Sequence, residues 1–388
     1  MDFQALLHFA VEHNASDIHI QAGVPATMRI AGILRQAALP PVTDDQVRNF
    51  IKSIAPLRFQ DNFDDRLVVG IDFSHAIPGI ARFRCSAYSN LSTGGIVMRI
   101  IKGRIPSLED LHLPPVIGQI AMAHHGLTLV TGTTGSGKST TLASMLQLIN
   151  NGPATKIIAI EDPVEYMHTP NHALIAQLEV GTDTPSFEQA LRQALRQDPD
   201  VILVGELRDM DTLRIALRAA DTGHAVFSTV HSASAPQTIE RIIAMFPPAE
   251  HKLLLTQLAG NLHAIISQRL LHCRDGSRRP AVEIMRGGPV PSRWILEGRA
   301  LELHDYMRSA GNGQQTFDQH LLEMFKQQII THEEAIANAT NRESLNTALR
   351  GIKPPKPGEP GYEAHENGGR HIPKPPAKMP PIGEPQRQ

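Results

Sequence analysis

Gly132, Gly137, Lys138 and Ser139 stand in the spacing Gly-x4-Gly-Lys-Ser, inside the stretch "LVTGTTGSGKST". Glycines at 132, 135 and 137 allow successive backbone N–H groups to turn inward on phosphate oxygens, with Thr133, Thr134 and Ser136 completing the loop. A helix starting near Lys138 aims its positive dipole end at the same anion. Lys138 would reach the β and γ phosphates, and the hydroxyl of Ser139, followed by Thr140, would hold Mg2+. The expected ligands are therefore a nucleoside triphosphate and Mg2+.

Splitting a bound triphosphate needs a carboxylate near the metal and the attacking water, and positive charge on the γ-phosphate in the transition state. "VILVGE" ends in Glu206, "IIAIEDPVEY" carries Glu161, Asp162 and Glu165, and "AVFSTVHS" ends in His231. In an open parallel sheet, ligands sit outside the carboxyl ends of the strands, where all three stretches would project. Glu206 is the first choice to polarise the water, with Glu161 and Glu165 as alternatives. His231 is a candidate γ-phosphate sensor. His224, in "TGHAVF", reads equally as a packed histidine. Arg82 and Arg84 share one strand face and Arg99 lies on the next strand. They form either a solvated face paired with acids such as Asp72, or a set of cations reaching a nucleotide held by a neighbouring domain or subunit. An arginine finger of the second kind contributes roughly 10³–10⁵ in rate.

The elements that must position these groups fall into distinct regions. Residues 1–103 mix an amphipathic helix, "FQALLHFAVEH", with short strands: "SDIHI", "TMRIAGIL" broken at Gly32, "ARFRCSAY" and "GGIVMRII". In "ARFRCSAY", Ala81, Phe83, Cys85 and Ala87 alternate with Arg82, Arg84 and Ser86, which predicts a half-buried antiparallel strand in a small α+β domain. Residues 104–115, with Pro106, Pro114 and Pro115, read as an inter-domain linker. From 116 to 350, the short apolar runs "LTLVTG", "KIIAIED", "DVILVGE" and "HAVFSTV" alternate with helical patterns such as "SFEQALRQALRQD" and "DTLRIALRAADTG". That order predicts an α/β domain around a parallel sheet covered on both faces. Residues 351–388 hold ten prolines and almost no apolar side chains, too few to form a core, so the segment reads as a disordered tail.

Bulk properties exclude several classes. The net charge is −2, with no basic stripe interleaved with aromatics, so no nucleic acid partner is expected. Cys85 and Cys273 stand alone, which excludes a CxxC zinc site and suits a reducing compartment. No HExxH pattern occurs, and the His124–His125 pair reads as a solvated strand entry. No apolar stretch approaches the ~20 residues that span a bilayer. The N-terminus lacks the basic and apolar regions of a secretory signal. A soluble cytoplasmic protein is expected.

Taken together, "ASDIHIQAG", "PGIARFRCSAY", "GTTGSGKSTTLASML", "IEDPVEY", "ALRQDPDVILVGELRD", "TGHAVFSTVHS" and "QTFDQHLLEMF…ITHEEAI" resemble, in content and order, the secretion-type hexameric ATPases. Within them, the chain is similar to the type IV pilus retraction (twitching-motility, PilT/PilU) branch over about residues 1–345. The resemblance implies a PAS-like N-terminal domain before a RecA-like P-loop motor domain, in a homo-hexamer at the inner face of the inner membrane. It implies ATP-driven pilus retraction, an inner-membrane pilus platform protein as partner, and a second retraction ATPase as a further one. It assigns Lys138 and Ser139 to the phosphate loop, and Glu161, Asp162 and Glu165 to an acidic box. Glu206 falls in the Walker B motif, His224 and His231 in a histidine box, and Arg82, Arg84 and Arg99 match arginines facing the nucleotide. One departure stands out: the "AIRNLIR" signature of retraction motors is replaced by "VPSRWILEG", with Arg293 as its one arginine. That keeps open an accessory motor, or a nucleotide-regulated interaction module, with weak or no independent retraction activity.

Overall fold

The computed structural model describes residues 2–101 and 103–351; all of the proline-rich tail except Gly351 lies outside the described residues. The chain folds around two sheets. The first half runs α1 (Phe3–Glu12), β1 (Ala15–Gln21), β2 (Thr27–Ile30), β3 (Ile33–Gln36), α2 (Asp44–Ile54), α3 (Phe63–Val69), β4 (Ile71–Ile77), β5 (Ala81–Asn90) and β6 (Thr93–Ile101). Its strands pair antiparallel in the order β3-β2-β1-β6-β5-β4. Alternation in β5 sends Phe83, Cys85 and Ala87 into a core with Leu7, Ile18, Ile20, Ile51, Leu67 and Met98. Arg82 and Arg84 are thereby left on the other face, and Arg84 pairs in register with Arg99 of β6. The turn at Gly32, which separates β2 from β3, is made by Ala31 and Gly32, both at positive φ. A reciprocal Thr43–Gln46 capping box starts α2, which the apolar pattern alone does not reveal.

The second half runs α4 (Val116–Ala121), β7 (Gly126–Gly132), α5 (Lys138–Asn150), β8 (Lys156–Glu161), β9 (Leu174–Glu179), α6 (Phe187–Ala194), β10 (Val201–Val204), α7 (Met210–Asp221), β11 (Ala225–Val230) and α8 (Ala235–Ala244). It continues through α9 (His251–Asn261), β12 (Leu262–His272), β13 (Arg278–Arg286), α10 (Pro289–Leu296), α11 (Leu303–Ala310), α12 (Phe317–Lys326), α13 (His332–Ala337) and α14 (Arg342–Leu349). The seven strands lie in the order β13-β12-β7-β11-β10-β8-β9, all pairings being parallel except β12 with β13. The nearly unbroken apolar strands are covered on both faces, as such strands must be. One face packs on α6 to α9 through Leu129, Ile160, Val204 and Val226; the other packs on α4 and α5 through Val130, Ala159, Leu203 and Phe227. The α/β architecture is the one that the sequence predicts. The hairpin β12–β13 and the edge strand β9 extend the sheet beyond the four strands that the apolar runs mark.

Residues 104–115, expected to be a linker, are folded onto the second half. Ser107 and Asp110 exchange hydrogen bonds, Ser107 N–H to Asp110 Oδ2 and Asp110 N–H to Ser107 Oγ, each 3.0 Å. Leu113 is buried in the α4–α5 core, and the Ser144 hydroxyl donates to the Pro106 carbonyl at 2.7 Å. No described helix is long and apolar enough to cross a membrane, and no group of three metal-ligating side chains occurs among the described residues.

Candidate nucleotide site

The strand order determines what meets what. Reading along the carboxyl edge from β7 through β11, β10 and β8 to β9, the chain presents Gly132, His231, Glu206, Glu161 and Glu179. These are the ends of five strands that pair in parallel, so groups far apart in sequence converge by register alone.

The Gly-rich loop joins β7 to α5. Gly132 has φ 146°, and a Cβ there would lie 2.4 Å from Ser136 Oγ and 2.6 Å from the Gln268 carbonyl, so the position admits no side chain. Gly135 (φ 80°) and Gly137 (φ 95°) turn left-handed, and Gly137 precedes the first helical residue, Lys138. Lys138 is buried, its Nζ donating to the carbonyls of Gly132 and Thr133, both at 3.0 Å. Burial lowers its pKa, and the nearby Glu206 carboxylate opposes that shift. Ser136 Oγ is buried without a partner inside the loop. A polar atom stranded this way suits an anion's oxygen better than a plain turn. Thr133, Thr134 and Ser139 are exposed on the loop and first helical turn, and Thr140 Oγ1 lies 2.9 Å from the Tyr166 hydroxyl.

Glu206 follows β10. Its Oε1 lies 3.3 Å from His231 Nε2 and its Oε2 accepts from Arg208 Nε at 2.8 Å. Glu161, at the end of β8, accepts from Gln177 Nε2 at 3.2 Å and from the Glu165 amide at 3.4 Å. Burial pushes its carboxyl up to about 7 despite those bonds. Asp162 is exposed beside it. Glu165 faces Arg84 at 3.7 Å.

The histidines and arginines singled out in the sequence do not all gather at the carboxyl edge. His224 sits at the entry of β11, the opposite end of the strand from His231, with Nδ1 2.9 Å from the Ala219 carbonyl and 3.2 Å from the Thr222 hydroxyl. It caps α7 within this chain and does not join the carboxyl edge. The three arginines also part company. Arg82 binds Glu179 (2.6 Å) and Arg84 faces Glu165, so both lie against the acidic segment of the larger sheet, whereas Arg99 turns to Asp17 of β1 at 2.8 Å.

The sequence pattern misses several residues here. Glu179 is 2% exposed and receives hydrogen bonds from Ser74 and Arg82 of the first half and from the Val164 amide of the acidic stretch. Burial would raise its pKa, but those bonds outweigh it and hold the carboxyl below its ordinary value. Gln268 donates to Thr141 of α5 at 2.9 Å and closes over Gly132 with its backbone. The buried end of "LIAQLEV" is the one sequence signal that marks Glu179.

A family model described as type II/IV secretion system protein matches residues 2–350. The type IV pilus retractation ATPase PilT of Pseudomonas aeruginosa is 41% identical over 336 residues, covering 86% of this chain and 97% of that one. The type IV pilus ATPase PilU of the same organism is 38% identical, covering 90% and 92%. A crystal structure of the pilus retraction motor PilT with bound ADP superimposes with a TM-score of 0.83 at 37% identity, covering 89% of this chain and 99% of that one.

Proposed function

The chain belongs to the type II/IV secretion system protein family, and on that premise we propose how its residues run the ATPase of a type IV pilus retraction motor. It is a P-loop ATPase of the retraction class. The observation that supports this site assignment is the meeting of the buried Lys138 with the Glu206–His231 pair at one edge of the parallel sheet.

The phosphate loop fits a triphosphate: a cradle closed to any Cβ at Gly132, a stranded hydroxyl at Ser136 and an ammonium held at the loop mouth. Lys138 and the amides of residues 133–139 bind the β and γ phosphates. Ser139 would supply a hard oxygen donor that suits Mg2+, and the bound ion would neutralise charge gathering on the phosphates. Glu206 accepts the proton of the attacking water, and His231, whose Nε2 lies 3.3 Å from it, orients the carboxylate and senses the γ-phosphate. Glu161 and Glu165 hold the acidic wall of the cleft, to which Arg84 returns positive charge. Asp162 lies at its rim.

The working unit proposed is a homo-hexamer on the cytoplasmic face of the inner membrane, acting on the pilus platform protein, with Arg82, Arg84 and Arg99 on the face that couples hydrolysis to movement of the smaller sheet. A second reading, an accessory motor working beside another retraction ATPase, draws on α10. That helix carries the divergent "VPSRWIL" stretch, and its Arg293 is tied to Glu297 at 2.8 Å.

Phosphate release by the purified chain tests the site. Glu206→Gln should lower kcat by at least about 100-fold while ADP still binds, and Lys138→Ala should lose nucleotide binding as well. Wild-type turnover in Glu206→Gln would remove the assignment of the base.

A further inference from the structure

Glu283 lies in β13, two strands away from the phosphate loop, and is fully buried. Its Oε1 accepts the backbone N–H of Ala235 at 2.8 Å, and its Oε2 is buried without a partner. Ala235 is the first residue of α8, so the carboxylate caps that helix where an anion is favoured. Ser234 takes the Gln237 amide of the same turn and Pro236 has no amide to satisfy, so the helix start is complete only with Glu283. Register places Glu283 beside Ser267 of β12, and Ser267 beside Thr131 of β7, whose hydroxyl donates to Ser267 at 2.9 Å. A buried polar row thus runs from β13 to the residue before Gly132.

The loop carrying His231 hangs on α8. Ser232 Oγ lies 2.5 Å from Thr238 Oγ1, and Arg241 Nη1 donates to the His231 carbonyl at 2.7 Å. Whatever fixes α8 therefore helps fix the backbone that carries the His231 imidazole. We propose that Glu283 is a positioning residue: by tying the first amide of α8 to β13, it holds His231 in place for hydrolysis without touching nucleotide. This rests on the role given above to His231. Burial pushes the Glu283 carboxyl up to about 7, opposed by the Ala235 amide and by Arg269 of β12 and reinforced by Asp318 of α12. So costly a placement for a carboxylate is hard to account for by packing alone.

The test is a double-mutant cycle on the full chain. Glu283→Met removes the acceptor at nearly constant volume, Glu283→Gln keeps an accepting oxygen, and each is combined with His231→Ala. The readouts are kcat and KM for Mg–ATP and the affinity for a fluorescent ADP. Displacing a reacting group by a fraction of an ångström to an ångström costs roughly tenfold to 100-fold. Glu283→Met should therefore lose about that in kcat, with KM and ADP affinity within about twofold, and Glu283→Gln should recover most of it. In the His231→Ala background, Glu283→Met should cost nothing more. Losses that multiply, or weakened ADP binding in step with kcat, would overturn the inference. Should Glu283→Met fail to fold, Thr238→Val cuts one of the two ties between α8 and the loop. It must show the same non-additivity with His231→Ala, and a multiplicative or absent effect counts against the proposal. Wild-type turnover in His231→Ala alone would instead remove the role of His231, and this inference with it.

Discussion

Arg82 carries a charge that its own chain already engages. As a free cation on a strand face it would be available to any nucleotide; bonded to Glu179 it is part of a largely buried ion pair between the two sheets. Removing one member of such a pair costs more than removing the pair, because the other charge is left without compensation. Arg82→Ala should therefore destabilise the protein by about 3 kcal/mol, and Glu179→Gln by distinctly less, in thermal melts at neutral pH. The pH dependence has a definite sign. The Glu179 carboxyl titrates below its ordinary value in the folded protein, so its contribution is present above the unfolded pKa of about 4.3 and is lost as pH falls through the lower folded value. Wild type should converge on Glu179→Gln only in that acid range. Equal melting temperatures at pH 7 would show that the pair contributes nothing.

Among the elements, the segment 104–115 argues most clearly for structure where composition suggests a spacer. Its three prolines break any helix, yet Leu108, Leu111 and Leu113 pack beside α4 and α5. Leu113→Ala should cost about 3 kcal/mol in denaturant unfolding, as a buried leucine does and a linker residue does not. The phosphate loop, the strands ending in Glu161, Glu206 and His231, and the alternation in β5 were legible because each rests on local periodicity and glycine spacing. What stayed hidden has a common cause. Glu179 and Glu283 matter through partners more than 40 residues away, Ser74 and Arg82 for one and Ala235 for the other, and no local pattern records those. His224, read equally as a packed histidine, lies before Ala225 at the amino end of β11 and bonds to the Ala219 carbonyl.

For the molecule as a whole, the larger sheet carries the phosphate loop and every acidic group of the cleft, and the smaller sheet brings Arg82 and Arg84 against the acidic segment. Proposed as a ring, the protein should show turnover per chain that falls on dilution through the assembly range, with light scattering reporting the same transition. Arg84→Ala should cut turnover at least about tenfold while ADP still binds. Constant specific activity at every dilution would remove the ring requirement. Glu179 adds something to this arrangement. One carboxylate accepts bonds from Ser74 and Arg82 on one side and from the amide of Val164 on the other, and Val164 lies between Glu161 and Glu165. Glu179 thus links the small sheet to the backbone of the acidic cleft. Because linkage between binding equilibria runs both ways, a load that shifted this contact would change the affinity for nucleotide, and bound nucleotide would change how firmly the small sheet is held.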